Sequence, residues 1–160
     1  MKKLVFVSAV AAALFMAGCS SKAPATSSTD SNADMYNTDM ASLINGIQSQ
    51  VQNVYFDFDK FNIRADQQGA ISTNASLFNQ GQASSLRVLI EGNCDEWGSD
   101  EYNYALGVKR AKTAKDALIA QGVSESRIEI ASNGESKPVC TERSKACDAQ
   151  NHRDEFRVMQ

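Results

Sequence analysis

The sequence predicts an α/β fold, an α+β sandwich in which helices pack on a small four-stranded sheet. Three observations carry this expectation. From Asn53 onward, short aromatic and β-branched runs alternate with longer stretches whose apolar residues recur at helical spacing. Glycines at 81 and 122 fall where the period changes. The resulting order is βαβαβαβ with no internal repeat, in a 160-residue chain whose length suits one domain with appendages.

Val54 to Phe58, reading Val-Tyr-Phe-Asp-Phe, is the first expected strand. Ala65 to Gln80 sets Ile71, Ala75 and Phe78 on one helical face, and Gly81 stops it. Leu86 to Glu91 is a second strand. Ser99 to Gln121 is the longest helix: Ser99 suits the N-cap, and Asp100 and Glu101 lie near the positive end of the dipole. Gly122 ends it. Arg127 to Ala131 is a third strand, with Ile128 and Ile130 on one face. A shorter helix is expected over Glu142 to Gln150. In Arg153 to Val158, Phe156 and Val158 alternate with Arg153, Glu155 and Arg157, as in a strand with one buried face.

Composition narrows the function classes. With 42% hydrophobic and 22% charged residues, the chain is too polar for a multi-span membrane protein and too apolar to be disordered throughout. A net charge of −3 lacks the basic surface that nucleic acid requires, so no nucleic-acid partner is expected. Residues 1–18 read as a signal peptide: Lys2 and Lys3, an apolar run from Leu4 to Met16 broken by Ser8, then Ala17 and Gly18. That run is too short to span a bilayer comfortably, which takes roughly 20 residues. Met16-Ala17-Gly18-Cys19 resembles a bacterial lipobox, which makes Cys19 the lipidation site. Two or more acyl chains there would anchor the chain stably. Cleavage before Cys19 leaves 142 residues and, with Lys2 and Lys3 gone, a net charge of −5. Residues 19–52 are rich in Ser, Thr, Ala and Asn and are expected to form a flexible tether. Leu43, Ile44, Ile47 and Val51 leave room there for one or two helical turns. The folded domain is then 53–160.

Three stretches together resemble the OmpA-like peptidoglycan-binding domain family, and within it the peptidoglycan-associated lipoproteins of the Tol–Pal system. They are Val54 to Lys60, the segment Glu91-Gly92-Asn93-Cys94-Asp95-Glu96-Trp97-Gly98 continuing through Asn103, Gly107 and Arg110, and Gly134 to Pro138 followed by Asn151-His152-Arg153. The resemblance covers residues 53–158. It implies a mixed sheet and a lipoprotein that holds the diaminopimelate stem peptide of peptidoglycan without catalysis, cofactor or metal. It further implies a place in the outer membrane, which Ser20 rather than aspartate after Cys19 also suits. Partners would be the cell wall, the membrane through the lipid anchor, and Tol-system proteins such as the periplasmic β-propeller protein, in the service of envelope integrity and cell division. This sequence departs from the family at Asn93, where histidine is usual, at Cys94, where a small residue or threonine is usual, at His152, usually arginine, and at Asp154, usually apolar.

By the resemblance, Asp95 and Arg110 are the clamping pair, Asn103 supports them, and Asn151 and Arg153 border the groove. The chemistry suits a zwitterion: a carboxylate accepts from an ammonium, and a planar guanidinium holds a carboxylate through two parallel hydrogen bonds. Asn103 and Arg110 are seven residues apart and so share a helix face. Unpaired N–H groups near Ser99 and Asp100 are available to further lone pairs. Taken singly these residues say less. Asp95 three residues before Gly98 reads as a turn, and Arg110 within Lys109 to Lys112 as a solvated basic face. Trp97 reads equally as a wall of the site, a partner contact or loop packing.

With Cys19 committed to lipid, Cys94, Cys140 and Cys147 remain. Export favours a disulfide, and Cys140 with Cys147 is the expected local pairing, leaving Cys94 free. A zinc site of Cys94, Cys140, Cys147 and His152 has a permissible ligand count but no recognised spacing. No enzyme is expected. One histidine argues against histidine-centred catalysis, the acids at 95, 96, 100 and 101 crowd one loop and helix start, and Asp57-Phe58-Asp59 lacks the later ligands and glycine of a calcium loop. A wall-binding lipoprotein outside the Tol system, or one acting mainly as a protein-binding module, remains the alternative.

Overall fold

A computed structural model describes residues 31–160; the expected signal segment, Cys19 and the tether through residue 30 lie outside the described residues. The order is α1 (Ser31–Gln48), β1 (Val54–Tyr55), α2 (Gln68–Asn79), β2 (Arg87–Asn93), α3 (Asp100–Ala120), β3 (Ile128–Gly134), α4 (Lys145–Asn151) and β4 (Arg153–Met159). The strands form one sheet in the order β1-β4-β2-β3. β2 and β3 run parallel, joined by the α3 crossover, while β4 is antiparallel to both β1 and β2. The expected mixed four-stranded sheet with packed helices is therefore what the sequence forms. Phe56, Ile71, Phe78, Val88, Ile90, Leu118, Phe156 and Val158 fill the core. No helix among the described residues is long and apolar enough to cross a membrane.

The expected tether needs correction. Residues 31–48 are an 18-residue helix rather than one or two turns. Ile47 is buried in the core, and Met40, Leu43 and Ile44 pack against it. The compact unit accordingly begins at Asn32, not near Asn53. Helices of polar composition gain most of their stability from burying one face, and the domain surface supplies that burial here. Gln48 adds a polar contact. Its Nε2 donates to the Phe156 carbonyl at 2.8 Å, and its Oε1 accepts from the Val158 N–H at 2.9 Å. β1 pairs only with Arg153 and Asp154, so one side-chain amide satisfies the next stretch of β4 in place of a longer strand.

β1 itself has two residues where five were expected. Phe56 N–H still donates to the His152 carbonyl at 2.8 Å. Beyond it the chain turns, with Lys60 N–H bonded to the Asp57 carbonyl at 3.1 Å and Asp59 at a φ of 55°. Aspartate tolerates that left-handed backbone better than most residues. The other boundaries shift modestly: β3 runs on to Gly134, and α4 starts at Lys145 rather than Glu142. The Ser99 cap is as expected, its Oγ accepting from Tyr102 N–H at 3.2 Å.

α3 lies unusually close to the sheet. A Cβ on Gly92 would stand 2.0 Å from the Gly107 carbonyl oxygen, and a Cβ on Gly107 2.2 Å from Ser132 Oγ. Only glycine at both positions permits that approach, and it brings Arg110, one turn farther along α3, to the end of β2. The packing of α1 has a direct test: Ile47→Ala should lower unfolding free energy by about 2 kcal/mol. A urea melt that matches the wild type would show α1 to be dispensable.

Candidate functional site

The end of β2, the loop that follows it, the first turns of α3, the turn after β1 and the start of β4 enclose a cavity of about 250 Å³. Asp95, Asn103 and Arg110 all line it. Three of the five residues expected at the site are thus brought together. Asn103 is buried, and its Nδ2 donates to the carbonyls of Asp95 (3.2 Å) and Trp97 (3.1 Å) and to Glu135 Oε2 (2.5 Å). It holds the 95–97 loop against α3.

Arg110 is fully buried, with its guanidinium 5.2 Å from the Phe56 ring centroid. Nε donates to the Lys60 carbonyl at 2.9 Å, Nη1 to the Asn93 carbonyl at 2.7 Å, and Nη2 to the Asp57 carbonyl at 3.3 Å. The expected free fork is corrected accordingly, because most of its N–H groups already serve main-chain oxygens. What reaches the cavity is a fixed positive charge and the remainder of Nη2. Burial lowers the Arg110 pKa, opposed by the nearby Cys94, Asp154 and Asp95 groups.

Asp95 is only 4% exposed. Its Oδ2 lies 2.5 Å from His152 Nε2, and its Oδ1 accepts from Trp97 N–H at 3.2 Å. His152 was absent from the expected site. The signal available in the sequence was a lone histidine directly after Asn151, just ahead of the last strand. Phe58 and Trp97 form an exposed aromatic rim, and Trp97 Nε1 donates to Asp148 Oδ2 at 3.3 Å. A second cavity of about 560 Å³ adjoins across Phe58, Trp97 and His152, with Arg64 and Lys145 also lining it.

Asn151 and Arg153 stand elsewhere than expected. Asn151 does not line the main cavity but a neighbouring one of about 130 Å³. Its Oδ1 accepts from Val139 and Cys140 N–H, and its Nδ2 donates to the Cys140 carbonyl at 2.8 Å. Arg153 lines none of these cavities; its guanidinium binds Glu155 Oε1 and the Lys137 carbonyl, and its Nη1 has no partner. Alternation accounts for Arg153, which shares one face of β4 with Glu155 while Asp154 takes the other; Asn151 is the last residue of α4. Both residues fasten the 137–140 segment. Cys140 and Cys147 are joined in a disulfide, with Cα atoms 5.2 Å apart. That bond removes two ligands from the zinc alternative, and among the described residues no group of His, Cys, Asp and Glu is arranged to hold a metal ion. Cys94 is free and buried, its Sγ 3.3 Å from the Asn103 carbonyl. Burial pushes its thiol up to about 11, which disfavours the thiolate at neutral pH.

Asp154 is fully buried, and neither carboxyl oxygen has a hydrogen-bond partner. Burial raises its pKa well above the ordinary carboxylate range, opposed by the charge of Arg110. Unfolded, the group titrates near pH 4. Below that, it is protonated in both states; as pH rises, the unfolded chain ionises first and the fold loses stability. The gain from Asp154→Asn should therefore grow between pH 4 and pH 7 in urea melts, and a constant difference would refute it. Reduction, or Cys140→Ser with Cys147→Ser, should cost about 2 kcal/mol for so short a loop, read as a lowered Tm.

The chain belongs to the OmpA family, whose model matches residues 55–152, from β1 through α4 and so across the whole cavity. Its relatives include the peptidoglycan-associated lipoprotein of Pseudomonas putida, 35% identical over 169 aligned positions that span 98% of this chain and 99% of that one. The protein of the same name from Pseudomonas aeruginosa is 33% identical, with the same two shares. The crystal structure of the peptidoglycan-associated lipoprotein from Burkholderia pseudomallei superimposes with a TM-score of 0.64 at 36% identity, covering 68% of this chain and 90% of that one. The C-terminal domain of Helicobacter pylori MotB shares the fold alone, with a TM-score of 0.62 at 20% identity over 69% of this chain and 85% of that one.

Proposed function

We propose that this domain binds the diaminopimelate-containing stem peptide of peptidoglycan non-covalently and, anchored through Cys19, ties the outer membrane to the cell wall. The observation that carries the reading is one small cavity walled by a buried carboxylate, Asp95, and a buried guanidinium, Arg110. The free end of a diaminopimelate side chain carries an ammonium for the first and a carboxylate for the second. Asp95 keeps lone pairs beyond those used by His152 and Trp97, while Arg110 contributes its charge and the rest of Nη2. Both charged groups are held before the ligand arrives, so little ordering is left to oppose binding. The names of the relatives support the same partner. Affinity at one site is modest, and many anchored copies facing a polymer supply retention.

Work alongside Tol-type proteins, including a periplasmic β-propeller partner, and a part in cell division belong to the same reading. The exposed Trp97 and Phe58 beside the cavity favour a second one, a surface for a protein partner, because exposed aromatics dominate protein interfaces. Co-sedimentation with isolated sacculi tests the clamp. Asp95→Asn and Arg110→Lys should each weaken pelleting by about tenfold or more, the lysine because it cannot reach three carbonyls and a ligand together. A thermal melt of each variant separates lost binding from a loosened 57–60 turn. Variants that stay folded and pellet like the wild type would sink the clamp.

A further inference from the structure

We infer that His152 is a positioning residue for Asp95, and that it makes the hold on the stem peptide weaken as the surroundings turn acid; the inference rests on the reading of the cavity proposed above. The imidazole and the carboxylate meet at 2.5 Å with both side chains nearly out of solvent, at 6% and 4% exposure. The ring has little freedom to leave. His152 N–H donates to the Asp148 carbonyl at 3.1 Å, its own carbonyl accepts from Phe56 N–H at 2.8 Å, and the Phe58 ring packs 5.9 Å away. Asp95 is fixed from its other oxygen by Trp97 N–H. The carboxylate therefore faces the cavity with an imidazole always beside it.

The charge of that pair decides what an ammonium meets. A neutral imidazole donating through Nε2 orients Asp95 and leaves the pair at −1. A protonated imidazole makes the same hydrogen bond and leaves the pair at zero. Imidazole changes charge between about pH 5 and pH 8. An arginine in its place would keep its charge across that whole range. The carboxylates of a diaminopimelate end do not titrate there, and a falling pH only completes the charge of its ammonium, which would strengthen binding rather than weaken it.

The groups facing the imidazole from each packed element leave few other switches. The cations are Arg64 after β1, Arg110 on α3 and Lys145 on α4, two guanidiniums and one ammonium. The acids besides Asp95 are Asp57 and Asp59 in the turn after β1 and Asp148 on α4. Tyr102, in contact with Asp59, has its phenol raised by that hydrogen bond, and Cys94 is pushed up to about 11 by burial. Asp154 on β4, raised by burial, is the one other candidate to change charge within the range, so it needs a control.

The test is binding of a soluble diaminopimelate-containing muropeptide at pH 8.0 and pH 5.5. The wild type should bind at least fivefold more weakly at pH 5.5. His152→Gln, whose amide can still donate to Asp95, should bind alike at both, and Asp154→Asn should keep the fall. The chain has a single histidine, so its imidazole can also be titrated by NMR in the unaltered protein. By reciprocity, saturating muropeptide should move that midpoint to lower pH. Binding that does not change with pH, a fall that survives His152→Gln, a fall abolished by Asp154→Asn, or a midpoint that ligand does not move would each overturn the role of His152 and leave the stem-peptide reading standing. No binding at either pH would overturn both.

Discussion

A guanidinium removed from water must find acceptors, because an uncompensated buried charge costs several kcal/mol. Arg110 finds them in three places: the carbonyls of Asp57 and Lys60 in the turn after β1, and that of Asn93 at the end of β2. One side chain on α3 thereby fixes the turn after the first strand and the loop after the second, which are the walls of the cavity. The arrangement works only because Gly92 and Gly107 let helix and sheet touch. A β-carbon at either position would lift the guanidinium from the carbonyls it needs. The same residue that supplies positive charge to the site is also what shapes it.

Around that centre, charges are held in pairs from several elements. Asp95 rests on His152 and on a main-chain N–H, Asn103 pins the loop that carries Asp95, and Asn151 and Arg153 hold the disulfide-closed segment behind it. On the opposite face of the sheet Glu91 sits between Lys137 and Arg157, at 2.7 and 2.9 Å. Burial pushes its pKa up, but the Lys137 hydrogen bond and the Arg157 charge outweigh that and leave it lowered. Asp154 stands apart, a carboxyl with no partner in direct reach. Asp154 on β4 and His152 just ahead of that strand thus place an acid and a base two residues apart beside the site.

Most of the fold is legible in the chain because its signals are local. The cap at Ser99, the stop at Gly122 and the alternation of Phe156 and Val158 with charged residues each mark an element without reference to the rest. α1 escaped because its apolar positions, Met40, Leu43, Ile44 and Ile47, are thin among polar residues and count only once the domain offers them a surface. β1 came out short because its aromatic run continues into a turn that Arg110 imposes from far along the sequence. For the site, Asp95, Asn103 and Arg110 sit at a spacing that the sequence displays. The partners of Asp95 and Arg110 do not show there, since His152 lies 57 residues from Asp95, and Lys60 lies 50 from Arg110. Which way Arg153 faces depends on strand register, and Asn151 on where α4 ends, and composition reveals neither.

The amide of Gln48 has a bearing on the chain's neighbours as well as on its fold. Peptide groups along the outer margin of a sheet invite any extended segment to add itself, and crowded identical molecules offer many such segments. The groups of β4 at 156 and 158 that β1 is too short to cover would be open to this, and Gln48 occupies them as a one-residue counterfeit of the missing strand. α1 is therefore more than the stem that leads into the domain. A copy that loses residue 48, by clipping or by α1 pulling loose, would keep its cavity yet acquire an adhesive margin and with it a route to self-association.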